Sequence, residues 1–362
     1  MEASRGIRYF HGVFHSNQFH RSKRNAREGA PGATAKPPGR RPQAAKPQFP
    51  PTKGAQHAMR IGFLTNALVE QSRRCGDARF TTLPGVADWA AAHGFQDLEC
   101  GPMLPLDRAA FEQVLGERKI SITALIYCRN YLSTDEEEAA SHLAELKKRI
   151  VFAGELGIEK VVTSTGIDKR IEEGIYDRDP AVKDRANLIR RIPVRSLDRV
   201  VDLFGPLTDL AEKHGVKLCF ENCPLMGNIA ISPAMWERIF ERLPSERLGL
   251  AYDPSHLVWE MIDPYAPIET FARRIFHVHA KDTRIDRERL ARTGILTDFS
   301  WWAYAIPGRG ELDWAKLLAA LKQIGYTGTV SLEHEDALYE GSVEKVQEGL
   351  LEGKRYLENL LH

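Results

Sequence analysis

The chain has 362 residues and a formal charge of +1, but residues 1–58 carry a net +9 and residues 59–362 therefore a net −8. An acidic folded part is a poor surface for phosphate backbones, which excludes nucleic acid as the expected partner. The five cysteines include no CxxC pair and no apolar run approaches the ~18 residues that span a bilayer. We therefore expect a cytoplasmic protein without disulfides and without a membrane partner.

Residues 1–58 are rich in Pro, Arg, Gly and Ala and show no sustained hydrophobic period. This composition predicts a disordered, basic extension. Three interpretations are open: a region upstream of a true start at Met59, a functional flexible tail, or an organelle-targeting segment. The domain division predicted from the sequence is therefore an extension over 1–58 and a folded domain over 59–362.

From Met59 onward, short apolar runs of strand type alternate with amphipathic helical segments. Eight strands are predicted, at 60–65, 96–101, 121–128, 160–164, 217–222, 248–253, 275–281 and 328–333. The clearest helical segments lie at 137–156, 196–214, 233–243, 313–324 and 343–361. Eight strand–helix alternations predict an α/β fold, a single (β/α)₈ TIM barrel. The alternative is an open doubly wound sheet, but the segment after the first strand has no glycine-rich phosphate turn.

Four polar residues follow or end four of the predicted strands. They are Glu221, Asp253, His279 and Glu333. In a (β/α)₈ barrel the carboxyl ends of the strands meet at one open end, where active sites lie. Three carboxylates and one imidazole form a set of hard donors that suits a divalent metal ion. The alternative is that each residue is only a cap or a turn residue.

Several ordered segments resemble the xylose isomerase-like barrels, also described as sugar phosphate isomerases and epimerases. The matching segments are FENCP, YDPSH, HVHAKD, PGRGELDW and SLEHED. The resemblance implies one catalytic divalent ion, Mn²⁺, Mg²⁺, Co²⁺ or Zn²⁺, held by Glu221, Asp253, His279 and Glu333. It also implies that Glu221 and Glu333 flank the substrate and transfer protons.

The same segments supply candidate substrate-binding residues. In the resembling enzymes the histidine matching His256 contacts a substrate oxygen; otherwise it is a turn histidine. Lys281 shares a strand face with His277 and His279, and could neutralise substrate charge or pair with Asp282 or Glu311. Glu335 could orient a ligand from behind the site.

Further candidates follow from loop positions. Arg309, between two glycines, could bind a hydroxyl or an anionic group at the barrel mouth, or be solvated surface. Asn130 and Asn222 could bind hydroxyls, although asparagine also suits turns. The predicted long loop 282–310 carries three aromatic residues suited to a lid or to stacking on a sugar ring, namely Trp301, Trp302 and Tyr304. A subunit interface would explain these aromatic residues equally, so a homo-oligomer is also open.

The predicted function is isomerisation or epimerisation of a sugar, keto-sugar or cyclic polyol through an enediolate. The first alternative is a lyase or dehydratase, because the two reactions share the proton abstraction and differ only afterwards. A remote alternative is an abasic-site endonuclease with three zinc ions, which would need histidines where this chain has Glu99, Cys100, Cys128 and Arg129. A sugar-binding barrel without activity is a further, non-enzymatic alternative.

Overall fold

The computed structural model describes residues 59–117, 120–168 and 194–361. The extension predicted for residues 1–58 lies outside the described residues. The barrel strands are β1 (Arg60–Leu64), β2 (Asp97–Cys100), β3 (Ser121–Ile126), β4 (Lys160–Thr163), β5 (Lys217–Glu221), β6 (Leu248–Tyr252), β7 (Ile275–Ala280) and β10 (Thr329–Leu332). They pair in parallel and close in the order β1-β10-β7-β6-β5-β4-β3-β2. The TIM-barrel prediction is confirmed, and all eight strands lie where the sequence placed them.

The described helices surround the barrel. They are α1 (Asn66–Cys75), α2 (Leu83–Ala92), α3 (Arg108–Glu117), α4 (Glu136–Glu155), α5 (Val194–Lys213), α6 (Pro233–Arg242), α7 (Pro254–Trp259), α8 (Ala266–Thr270), α9 (Arg287–Thr297), α10 (Trp314–Gln323) and α11 (Val343–Leu361). Their apolar faces and the outward faces of the strands form one large hydrophobic core. No helix in the described ranges is long and apolar enough to cross a bilayer.

The prediction of a long loop over 282–310 is wrong. The segment instead contains an antiparallel pair, β8 (Asp282–Ile285) and β9 (Trp302–Ala305), with α9 between the two strands. Asp282 pairs with Ala305 and Ile285 pairs with Trp302. This arrangement, which we call the β8–β9 hairpin, fixes its aromatic side chains next to the carboxyl end of the barrel.

The barrel interior is divided by chemistry. Small and apolar side chains of β1 and of β3–β6, with one residue just after β3, form an inner cluster: Leu64, Ala124, Ile126, Cys128, Val162, Cys219 and Ala251. Charged and polar side chains of β2, β7 and β10 are equally buried: Glu99, His277, His279 and Ser331. Because charged groups are costly to bury without partners, the second set requires an internal network of ion pairs and hydrogen bonds.

Candidate active site

The barrel brings together the four residues proposed as metal ligands. Glu221 ends β5, Asp253 follows β6, His279 lies in β7 and Glu333 follows β10. One ligand atom from each lies within 4.8 Å of all the others. His279 Nδ1 is 3.1 Å from Glu333 Oε2 and 3.5 Å from Glu221 Oε1. The four side chains therefore face one point at the carboxyl end of the barrel.

The donor atoms of this cluster fit a cation. Asp253 Oδ2, His279 Nδ1 and Glu333 Oε2 are buried and make no hydrogen bond of normal geometry among the described residues. Glu333 Oε2 faces His279 Nδ1, and both carboxylate oxygens face the Lys281 ammonium. Buried polar atoms normally make hydrogen bonds, so three such atoms that face one point suit a bound cation. Carboxylate oxygens with one imidazole nitrogen suit Mg²⁺, Mn²⁺, Co²⁺ or Zn²⁺, and do not select among them.

Lys281 provides positive charge beside the cluster. Its ammonium lies 3.2 Å from Asp253 Oδ2, 3.0 Å from Glu333 Oε2 and 2.9 Å from Glu335 Oε2. The alternative pairing of Lys281 with Asp282 or Glu311 is wrong. The Asp282 carboxylate instead accepts from three backbone amides and the Trp314 indole, and Glu311 pairs with Arg287.

The charges stabilise one another. Burial acts to raise the pKa of Glu221, but His256 and His279 outweigh it and hold that pKa below its usual range. Burial likewise opposes ionisation of Asp253, and Lys281 and His256 hold its pKa low. Burial would lower the pKa of Lys281, yet Asp253 and Glu333 raise it well above its ordinary value. Glu221 and Asp253 are therefore ionised at neutral pH, as carboxylate metal ligands must be, and Lys281 carries a positive charge beside them.

His256 lies beside the ligands on the short helix α7. Its Nε2 is 3.2 Å from Asp253 Oδ2 and 3.8 Å from Glu221 Oε1, and the side chain is fully buried. Its Nδ1 is 3.1 Å from the hydroxyl of Tyr304 on the β8–β9 hairpin. Its Nε2 has no hydrogen-bond partner within the described ranges. This position suits contact with a substrate oxygen, which stays a prediction.

The aromatic side chains of the hairpin take three different places. Trp302 stacks on Trp259 of α7, with ring centroids 4.5 Å apart and planes 1° apart. The Tyr304 ring lies 4.4 Å from the Lys281 ammonium. Trp301 is buried with 1% exposure, so it contributes to the core and not to a lid. Trp302 and Tyr304 form a wall beside His256 and Lys281.

Three other candidates are held by local contacts. Asn222 donates to the Asp253 carbonyl and accepts from the Asp253 amide, both at 2.8 Å, so it fixes the backbone of a ligand. Asn130 accepts from the amides of Leu132 and Ile167. Arg309 is half-exposed and pairs with Glu352 of α11. The structure does not bring the Arg309 guanidinium into contact with the four proposed ligands.

Two residues near the site were not predicted as part of it. Cys128 donates to Glu221 Oε2 at 3.1 Å. Glu99 contacts both His277 and His279. Glu99 and Cys128 also stand where an abasic-site endonuclease would need its additional histidines, so this alternative gains no support.

Comparison with known proteins identifies the family. Residues 87–360 match the family described as xylose isomerase-like TIM barrel. The chain belongs to this family. The resemblance of the five ordered segments is thereby confirmed.

Two curated relatives cover most of the barrel. The uncharacterized protein YfiH of Bacillus subtilis is 32% identical over 247 residues, which are 63% of this chain and 76% of that protein. The inosose dehydratase of Geobacillus thermodenitrificans is 26% identical over 251 residues, which are 68% of this chain and 79% of that enzyme.

Two solved structures share the fold. The D-psicose 3-epimerase of Clostridium cellulolyticum H10, solved with D-tagatose, superposes with a TM-score of 0.58 at 16% identity and covers 84% of this chain and 100% of its own. The IolI protein, solved with a zinc atom, superposes with a TM-score of 0.58 at 19% identity, and the match covers 83% of this chain and 96% of its own. At these identities the likeness shows the fold alone.

Proposed function

We propose that the chain is a divalent-metal-dependent enzyme that isomerises or epimerises a sugar, keto-sugar or cyclic polyol through an enediolate. The observation that carries the proposal is that Glu221 and Glu333 approach the same His279 nitrogen, at 3.5 and 3.1 Å. Two carboxylates facing one point allow one to take a proton and the other to return it to a different face or carbon.

The ion would be held by Glu221, Asp253, His279 and Glu333. When bound, a divalent ion polarises a carbonyl and stabilises negative charge on its oxygen. A glutamate takes the proton from the carbon beside that carbonyl, the electron pair of the broken C–H bond forms a carbon–carbon double bond, and the π pair of the carbonyl moves to its oxygen. Lys281 places a positive charge near this oxygen, and His256 orients a neighbouring hydroxyl.

Dehydration of a keto-cyclitol or keto-sugar is the second candidate. The sequence similarity to an inosose dehydratase favours it. After the same proton abstraction, the electron pair expels a hydroxyl at the next carbon, and a proton joins the hydroxyl to release water. The glutamate that has taken the proton can return it to the leaving hydroxyl, and the Lys281 ammonium, 3.0 Å from Glu333, stabilises negative charge at the site.

The decisive experiment is incubation of the metal-loaded protein with keto-sugars and a keto-cyclitol in deuterium oxide. Isomerisation gives a product with deuterium at the former carbonyl carbon, which receives the proton, and epimerisation gives one with deuterium at the carbon that was deprotonated; neither product has lost water. Dehydration gives a product lighter by one water. If protein shown to hold metal exchanges hydrogen beside the carbonyl of none of these compounds, both candidate functions are rejected.

We further propose that residues 59–362 carry this activity as one domain, because every barrel strand lies between Arg60 and Leu332. A protein beginning at Met59 should keep the melting temperature and kcat/KM of the full chain. Loss of either on removal of residues 1–58 would contradict the division.

A further inference from the structure

Glu99 occupies the centre of a buried network behind the proposed metal ligands. It lies in β2 and its side chain is fully buried. His277 Nε2 lies 2.9 Å from Glu99 Oε2, and His279 Nε2 lies 3.1 Å from the same oxygen. Ser331 of β10 donates its hydroxyl to this oxygen at 2.9 Å. One carboxylate therefore joins three side chains from two other strands.

The chain leaves room for this contact across the barrel. β1 stands between β2 and β10, and Gly62 of β1 is paired with Asp97 on one side and Ser331 on the other. Gly62 shares the inward face of Leu64, two residues on. A Cβ on Gly62 would lie 2.5 Å from the Asp97 carbonyl oxygen and 2.8 Å from Asp97 Cβ. β1 thus has no side chain between Glu99 and its partners.

The network determines which nitrogen of His279 is available. An ionised carboxylate can only accept hydrogen bonds, so both imidazoles donate from Nε2. For His279 this places the second nitrogen, Nδ1, 3.1 Å from Glu333 and 3.5 Å from Glu221. His279 Nδ1 is also one of the buried atoms without a hydrogen-bond partner among the described residues.

We propose that Glu99 is a positioning residue that holds the His279 ring with Nδ1 directed at the metal ion. The inference rests on the proposed function, since it requires an ion among Glu221, Asp253, His279 and Glu333. A carboxylate that accepts the second N–H of a ligating histidine fixes the ring orientation and raises the basicity of the ligating nitrogen. Loss of such a partner typically weakens metal affinity by about 10–100-fold.

The test compares two carboxylates of the same strand. Glu99→Gln keeps the size of the side chain but replaces one carboxylate oxygen with an NH₂ group. This NH₂ group can only donate, so it cannot accept the hydrogen bond from an imidazole N–H that faces it. Asp97→Asn is the matched control, because Asp97 is equally buried and bonds Thr329 and Arg60 away from His279. Dissociation constants for Mn²⁺ and Co²⁺ are measured by calorimetry, and melting temperatures without metal are recorded for all three proteins.

We expect Glu99→Gln to weaken the binding of both metals by about 10–100-fold and to change the visible spectrum of the Co²⁺-bound protein. Asp97→Asn should keep the wild-type affinity even where its melting temperature falls. Unchanged affinity in Glu99→Gln, or equal weakening in both variants, would overturn the assignment. If the wild-type protein binds neither metal, the proposed metal site is rejected, and the role of Glu99 is rejected with it. If the wild type binds metal and Glu99→Gln binds it equally well, only the role of Glu99 is rejected.

Discussion

Asp282 and Asp253 are both fully buried at the carboxyl end of the barrel, but the chain surrounds their carboxylates differently. Asp282 accepts from four fixed donors in the protein. These are the amides of Thr283, Gly308 and Leu312 and the Trp314 indole. Its hydrogen-bonding capacity is used within the fold, and it ties the β8–β9 hairpin to the start of α10.

Asp253 is satisfied only in part. One oxygen accepts from the Ser255 amide at 2.8 Å and caps α7, whereas Oδ2 faces Lys281 and His256 without a hydrogen bond within the described part of the chain. Glu333 Oε2 likewise faces Lys281 and makes no hydrogen bond within the described part of the chain. A buried carboxylate enclosed by backbone donors stabilises the fold, while one that faces only charged side chains can exchange these contacts for a cation or a substrate.

The largest expected effect lies in turnover. Glu221→Gln and Glu333→Gln each keep an oxygen donor but remove the base, so kcat should fall about 10²–10⁴-fold while substrate still binds. Deuterium incorporation beside the substrate carbonyl measures the loss directly. Asp282→Asn serves as the control of similar burial. If both glutamine variants exchange hydrogen at the wild-type rate, another residue is the base.

A second contrast separates metal binding from stability. Asp253→Asn should lose most of its metal by elemental analysis, because the neutral amide is a weak ligand, while the cap on α7 is retained through its oxygen. Asp282→Asn should keep its metal but lose roughly 1–3 kcal/mol of folding free energy for each donor left unpaired. Urea unfolding without metal gives the second quantity. Full metal content in Asp253→Asn would remove Asp253 from the ligand set.

The sequence was sufficient for the barrel and for the meeting of the four proposed ligands, for a physical reason. Each strand is buried on both faces, so its apolar run is unambiguous, and a charged residue at its end marks the carboxyl end of the barrel. The β8–β9 hairpin was missed although Trp302 and Tyr304 alternate with alanines, a pattern typical of a strand.

Contacts across the barrel interior could not be predicted in this way. Glu99 and His279 are 180 positions apart, and their contact depends on strand order, barrel closure and the absent side chain at Gly62. Burial of Glu99 requires a partner, but nothing local to β2 indicates which strand supplies it. The approach of Tyr304 to His256 similarly depends on how the hairpin folds back over α7.

A smaller effect is expected at His256, which touches the ligands without belonging to the set of four. His256→Ala should leave metal content intact and cost roughly 1–3 kcal/mol in kcat/KM, for a lost hydrogen bond to a charged or developing-charge group. Tyr304→Phe removes only the partner of His256 Nδ1 and should cause a smaller loss. A His256 variant that is less stable but kinetically normal would identify a turn histidine. Loss of metal would make it a ligand.

The smallest effect concerns Glu260, a third kind of buried carboxylate, just after α7. Its Oε2 is buried with no hydrogen-bond partner in the described ranges, and burial raises its pKa to about 8, with only partial opposition from His256. Because no donor neutralises the charge of this carboxylate, the side chain keeps its proton in the folded state. Because the folded pKa lies above the unfolded one, the folded state binds the extra proton between the two values. Its contribution to stability is therefore fully present below the unfolded pKa, near 4.5, and is lost as pH rises through about 8.

Glu260→Gln remains neutral at every pH and should remove this decline. We expect the variant and the wild type to melt at similar temperatures near pH 5, and the variant to melt roughly a few degrees higher near pH 8.5, where the wild type must bury a charge. Glu269→Gln, at an exposed position of α8, controls for the loss of one negative charge from the surface. Calorimetric scans of metal-free protein across this range measure the difference. A constant offset between Glu260→Gln and wild type at all pH values would show that Glu260 ionises normally, and would place it with the solvated carboxylates instead of the buried ones.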